Sequence, residues 1–284
     1  MKIIILGGTG FVGSYLTAYF KAQNHNVVAL GREAYSKEFD LTAQLENQDL
    51  LIVLTGENIG KRWNADYKKA LLQSRTLTNQ FLKQKLQACQ IPPKRIFSTS
   101  AIGFYPENSC ENLLDESHTE PGKGFLGQLG KQWEESSLEL TPTPLIMRFG
   151  VVLGKKGGAL QKMLPPFKMG LGGPVAGGQQ CFSWIHIEDL ARAISFFIEK
   201  PELDGVFNLT SPNPVTSNVF GKALAKAVHR PFWLPLPEFQ LKLMFGEGAQ
   251  VLTHSSAIVP TRLIESGFEF EYPEVETALK NIVE

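Results

Sequence analysis

The chain has 284 residues, 28 basic and 28 acidic, for a formal net charge of zero. Without a surplus of either sign it has no electrostatic footprint for nucleic acid or an anionic membrane surface, so neither is expected as a partner. The length suits one large α/β unit carrying a smaller lobe, because single cores stop growing near roughly 250–300 residues.

Residues 2–6, KIIIL, form an almost unbroken β-branched run, the pattern of a strand buried on both faces of a parallel sheet. The lysine and short apolar run are too short for a secretory signal, and no later run approaches a membrane span, so the expected location is the cytoplasm. After GGTGFVG, the recurrence of Phe11, Tyr15, Leu16, Tyr19 and Phe20 predicts a helix that stops at Asn24-His25-Asn26, before a second strand at 27–30. Residues 33–48 are polar and ambiguous, with room for only a degenerate third strand. A strand at 50–54, a helix over 66–89 and a strand at 95–99 follow. Then come a helix over 127–138, a strand at 145–152, a helix over 187–199 and a strand at 206–209. Strands alternating with helices over this length predict an α/β fold, a doubly wound parallel sheet of Rossmann type.

The Gly-, Pro- and Met-rich stretch 155–182 suits an irregular loop covering a cleft. Residues 1–210 are thus expected to form the nucleotide-binding domain, with 155–182 as an insertion, and 211–284 a small C-terminal lobe. That lobe is expected to hold a helix over 215–228, the passage HRPFWLPLPEF and a second helix near Leu241. Cys89, Cys110 and Cys181 are odd in number and lack metal-site spacing, which predicts free thiols and no metal.

GGTGFVG parses as Gly8-x-Gly10-x-x-Gly13 or as Gly7-x-x-Gly10-x-x-Gly13. Glycines here let the chain turn off a strand, let backbone N–H groups approach a pyrophosphate and let the helix pack close to the sheet. Gly7, Thr9, Gly10, Phe11, Val12 and Gly13 are therefore expected to cradle a dinucleotide. At the end of the second strand, NAD would call for an acid to hold the ribose hydroxyl, and NADP for a cation. The sequence offers Gly31 and then Arg32, which favours NADP (NADPH); Glu33, one residue on, argues the other way or is a solvated loop charge.

GGTGFVG, FSTSAIGFY, RFGVVLG and SWIHIEDLARAI together resemble the extended short-chain dehydrogenase/reductase superfamily. TGENIGKRW, LLQSRTLTNQFL, FLGQLGKQWEESS, GGALQKMLPPFKMGLGG and RPFWLPLPEF narrow the resemblance to its epimerase-like branch, whose members carry a small C-terminal domain. The resemblance covers nearly the whole chain and favours the Gly7-x-x-Gly10-x-x-Gly13 parse. It implies that Leu54, Thr55 and Gly56, after the superfamily's fourth strand, flank the adenosine, and that Ser100 holds the catalytic serine position. Ser98 and Arg148 are expected to join the cofactor contacts. His186 and Asp189 match an HxxD pattern that ties the substrate lobe to the sheet.

The superfamily's chemistry depends on a Tyr four residues before a Lys, and this chain departs from that pattern. If Lys131 is the lysine, Gly127 fills the tyrosine slot; if the helix is registered on Glu134, the slots hold Leu126 and Gly130. Lys131 is retained as a catalytic candidate beside Ser100. Tyr105 is either a cleft residue or a packing tyrosine, and Gln180 and His186 line the approach to the last α/β unit, His186 as acid/base or as a structural imidazole. Arg62 and Arg75 are candidate grips for an anionic substrate group or the cofactor pyrophosphate. Arg148, ending an apolar strand, must be paired or point into the cleft.

Two functions compete. One is an NADP-dependent oxidoreductase or epimerase on a small polar or nucleotide-linked substrate. The other is an NADP(H)-binding sensor or partner-binding module without turnover. A homodimer is one candidate assembly.

Overall fold

The computed structural model describes residues 1–284. Strand β1 (Lys2–Leu6) leads through the glycine turn into helix α1 (Phe11–Ala22) and back into β2 (Asn26–Leu30). A 3-10 turn at Arg32–Tyr35 and the short helix α2 (Leu41–Leu45), capped by Asp40, occupy the ambiguous segment, so no degenerate strand forms there. Then follow β3 (Leu50–Val53), α3 (Ala65–Gln87), β4 (Arg95–Ala101), α4 (Phe125–Leu138) and β5 (Leu145–Phe149). The strand expected to precede the Leu54 turn as the fourth is therefore the third.

Past Gly150 come β6 (Val151–Leu153), α5 (Gly158–Lys168), β7 (Cys181–Phe182), β8 (Trp184–His186), α6 (Ile187–Glu199) and β9 (Gly205–Leu209). The C-terminal part holds β10 (Val215–Thr216), α7 (Ser217–Ala227), α8 (Glu238–Phe245), α9 (Gln250–Thr253), α10 (Thr261–Glu265) and α11 (Val275–Val283).

The central sheet has the order β2-β1-β3-β4-β5-β9, and every pairing is parallel. Successive side chains alternate between its faces, so each inner strand must be apolar on both. Ile3 and Ile5 pack with Leu16, Phe20, Leu190 and Phe197 on one face, while Ile4 and Leu6 pack with Leu41, Leu82 and Leu86 on the other. Each such side chain contributes about 1.5–3 kcal/mol when fully buried. Strand order reverses between β1 and β3, and ligands of open α/β sheets bind at such a switch point. The glycine turn lies there.

Three further expectations change. The single strand over 145–152 is two: the chain leaves the main sheet at Gly150, and β6 pairs with β8. The irregular insertion contains α5, which buries Leu160 and Phe167 and accommodates Pro165 and Pro166. That helix packs with Phe220 and Leu224 of α7 and Leu279 of α11 in a third core, which joins residues from both sides of position 210. Finally, Cys110, in the loop before α4, is disulfide-bonded to Cys181 in β7, leaving Cys89 as the free thiol. Spacing alone could not show this, because the two cysteines are 71 residues apart and meet through the fold, with Cα atoms 5.3 Å apart. The bond removes one support for a cytoplasmic location.

Candidate functional site

Gly7 ends β1 at φ +80°, a conformation that L side chains rarely adopt, and a Cβ there would meet the Leu54 carbonyl oxygen at 2.9 Å. Gly13 lets α1 press onto the turn, since a Cβ on it would lie 2.6 Å from the Cα of Gly8. Gly8 itself packs against Ala29 of β2, so both parses of the motif describe one close-packed turn. No side chain caps α1 at Gly10, which leaves first-turn N–H groups and the positive end of the helix dipole available to an anion.

At the end of β2, the Gly31 N–H donates to Glu33 Oε1 at 2.6 Å, and that bond holds the Glu33 carboxyl below the usual range. Glu33 is thus turned back on its own loop, beside Gly31. The Arg32 side chain is 91% exposed, and its recorded partner is Glu57 Oε2 at 3.2 Å. Such a surface pair is worth roughly 0–1 kcal/mol and is readily exchanged for a phosphate. Glu57 follows the Leu54-Thr55-Gly56 turn, and Lys61 also holds its carboxyl low. Thr55 Oγ1 is 2.8 Å from the Tyr35 hydroxyl, whose pKa burial pushes up to about 12.

Arg75, expected at the substrate, is buried beneath this turn. Its guanidinium donates to the carbonyls of Leu71 and Glu57 and stacks 4.6 Å from the Trp133 ring, and burial lowers its pKa to about 10. It supports the loop that flanks the cradle and has no free face for a substrate. Arg62 is exposed and donates to the Leu243 carbonyl, joining the β3–α3 loop to α8.

The serine position departs most from expectation. Ser100, 1% exposed, donates to Glu134 Oε1 at 2.6 Å, and Arg148 grips the same carboxylate through Nε and Nη2, each at 2.8 Å. The Arg148 guanidinium lies 3.6 Å from the Phe104 ring centroid and 4.7 Å from that of Tyr105. Burial by itself would lower the pKa of Arg148, but the Glu134 hydrogen bonds and charge outweigh it and the net direction is upward. Arg148 is therefore satisfied inside the protein and is not a cofactor contact here. The Ser100 hydroxyl thus donates its hydrogen to Glu134.

Neither register of α4 restores the missing pair. A Cβ at Gly130 would lie 3.0 Å from Phe104 Cα, and one at Gly127 2.6 Å from Gly122 Cα, so backbone occupies both slots. Leu126 packs against Gly103. Lys131 is on the exposed face of the helix, 3.8 Å from Glu135, which removes it from the neighbourhood of Ser100. Glu134 is the residue that sequence reasoning used only as a register mark. The signal for it was Arg148, a cation in an apolar strand that required a partner.

The other candidates are structural. Tyr105 is fully buried and donates to Asn208 Oδ1 at 2.9 Å, so it is a packing tyrosine. Gln180 donates to the carbonyls of Val175 and Leu252. His186 caps α6 through Nδ1, stacks 4.0 Å from the Tyr272 ring and has its pKa lowered by burial. Asp189 accepts the Glu271 and Tyr272 N–H groups at 2.8 Å each, tying the C-terminal segment to the sheet as the HxxD resemblance implied. Ser98 Oγ, in mid-β4 opposite Val53 where β3 ends, is buried without a hydrogen-bond partner.

A family model described as the NAD dependent epimerase/dehydratase family matches residues 3–124, and one described as a domain of unknown function, DUF1731, matches 236–282. The sequence is 34% identical to epimerase family protein YfhF of Bacillus subtilis, across 100% of this chain and 98% of that protein. It is 33% identical to epimerase family protein SDR39U1 of Mus musculus, across the full length of both. The crystal structure of the human epimerase family protein SDR39U1 with NADPH superposes with a TM-score of 0.90 at 31% identity, covering 100% of this chain and 99% of that one. A nucleoside-diphosphate sugar epimerase from Corynebacterium glutamicum gives a TM-score of 0.79 at 26% identity, covering 99% of this chain and 57% of that one.

Proposed function

This chain belongs to the epimerase family, and from that premise we propose that it binds NADPH and exchanges hydride with a small polar or nucleotide-linked substrate, as an oxidoreductase or epimerase. The residues fit the dinucleotide. The uncapped start of α1 and the cleared space at Gly7 and Gly13 suit a pyrophosphate, and the unpartnered Ser98 hydroxyl is one more polar group beside the end of β3. The observation that carries the choice of NADP is Arg32, exposed at the end of β2 where an NAD site would have an acid, while Glu33 is occupied by the Gly31 N–H. NADPH in the crystal structure of the human relative supports the same choice.

The nicotinamide supplies the hydride when the cofactor is bound. This chain's own part is to bind and orient, because Ser100 is locked to Glu134, backbone fills both tyrosine slots and Lys131 is on the exposed face of α4. The accompanying proton then comes from a group other than the superfamily's tyrosine. Fluorescence titration tests the cofactor: NADPH should bind more tightly than NADH, and Arg32→Ala should erase the difference. Equal affinities in the parent protein would remove the assignment.

The closure around Ser100 favours a second reading, an NADP(H)-binding sensor without turnover. Loss of NADPH absorbance against a panel of sugar nucleotides, together with mass spectrometry of co-purifying metabolites, separates the two. Oxidation supports the enzyme; tight NADPH binding with no oxidation and no metabolite supports the sensor.

A further inference from the structure

Two cations from different loops converge on Glu57. Arg32, just past β2, reaches its Oε2 at 3.2 Å, and Lys61 reaches its Oε1 at 2.8 Å. The three side chains stand beside the glycine turn. A Cβ on Gly31 would lie 2.8 Å from Thr9 Oγ1, and one on Gly7 would lie 2.9 Å from the Leu54 carbonyl oxygen. The Arg32–Glu57 pair therefore joins the two chain segments that flank that turn.

The β3–α3 loop that carries Glu57 and Lys61 is fixed along its length, which an ordinary surface ion pair does not require. The Glu57 N–H donates to Ser74 Oγ at 2.9 Å, and the Glu57 carbonyl accepts from Arg75 Nη2 at 3.2 Å. The Tyr67 hydroxyl binds the Asn58 carbonyl and lies 3.2 Å from Glu57 Oε1. The Gly60 N–H donates to Asn58 Oδ1 at 2.8 Å, and the Gly60 carbonyl accepts from Lys162 of α5 at 2.7 Å. These anchors hold the Glu57 carboxylate facing Arg32. The Arg32 and Lys61 side chains are still 91% and 55% exposed, so each has further donors to offer an anion.

We propose that Lys61 is a second cation for the adenosine 2′-phosphate of NADPH, and that Glu57 tunes the preference for NADPH by competing with that phosphate for both cations. The inference rests on the NADPH reading above. Each cation already meets a different oxygen of one carboxylate, and a phosphate presents its oxygens to the same pair with more negative charge. NADH has only a hydroxyl at that position and gains little from either cation. Two cations against one carboxylate leave the site with one net positive charge. Without Arg32 or without Lys61 the remaining cation is neutralised by Glu57, so the preference needs both.

Fluorescence titration of the full-length protein with NADPH and with NADH, at one fixed ionic strength, tests the charge count. Lys61→Met should weaken NADPH binding about tenfold, the usual effect of one charge-assisted hydrogen bond. Its NADH affinity should be unchanged, which also shows that the variant is folded, and Lys61→Arg should keep the preference. Glu57→Gln should tighten NADPH binding about threefold, within the span of a surface ion pair. The double variant Lys61→Met/Glu57→Gln has the parent's net charge at the site and should recover most of the NADPH affinity. An equal loss of both nucleotides in Lys61→Met, weaker NADPH binding in Glu57→Gln, or a double variant no better than Lys61→Met would overturn the inference. A parental preference untouched by Lys61→Met would overturn it alone, whereas a parent without any preference would remove the NADP assignment itself and the inference with it.

Discussion

Removing the Glu134 carboxylate should cost more stability than almost any other single change at the site. In Glu134→Ala the Arg148 guanidinium, whose side chain is 5% exposed, stays buried without its anion, and the Ser100 hydroxyl loses its acceptor. Breaking a buried pair by deleting one partner costs about 3–5 kcal/mol, a large share of a stability of roughly 5–15 kcal/mol. At about 2–4 °C per kcal/mol for a chain of this size, the melting temperature should fall by roughly 6–20 °C. The cation–π contacts with Phe104 and Tyr105 remain and place the outcome toward the lower end. Urea unfolding followed by circular dichroism measures the loss. The double variant Glu134→Ala/Arg148→Met should recover most of it, since apolar replacement of a buried pair is often neutral. A single variant within about 1 kcal/mol of the parent, or a double variant no better than the single, would refute the account of a desolvated ion pair.

Two further outcomes are expected. Burial lowers the His186 pKa, with Asp189 and Asn281 opposing, so the folded protein binds this proton less readily than the unfolded chain does. Its contribution to stability is complete above the unfolded value of about 6.5 and declines as pH falls from there toward the lowered folded value. The urea midpoint should therefore drop between about pH 7.5 and pH 5.5, and His186→Gln should drop less; an equal drop in both would assign the effect to other groups. Reduction of the Cys110–Cys181 bond, or Cys110→Ser, opens a long covalent loop and should lower stability by about 2–4 kcal/mol in thermal unfolding without altering NADPH affinity. Unchanged melting in dithiothreitol would mean that the bond adds nothing to the fold.

The strand and helix order was legible because its signals are local. Ile3, Ile4 and Ile5 read as a doubly buried strand, and the Leu16–Phe20 spacing as a helix face, and both pack that way. The α5 helix was not legible, since glycines and two prolines disguised a segment that folds by burying Leu160 and Phe167 against α7. Among the candidate residues, those on the glycine turn stand where the sequence put them. Arg75 and Lys131 do not, while Tyr105 and Arg148 take the packing and paired alternatives rather than the site roles, because a sequence shows that a side chain is charged or aromatic but not which groups face it.

The sequence by itself determined the parallel α/β order, the dinucleotide turn, the cationic end of β2 and the absence of a Tyr-x-x-x-Lys pair, all of which reside in short-range periodicity and backbone-specific glycines. Tertiary structure alone decided that Glu134 holds Ser100 and Arg148, that Cys110 reaches Cys181, and that a second glycine turn, Gly122–Gly127, opens on a cavity walled on one side by α9. Those contacts join groups up to 71 residues apart in the disulfide and farther across the cavity, and their partners are selected by packing geometry, which leaves no periodic trace in the chain.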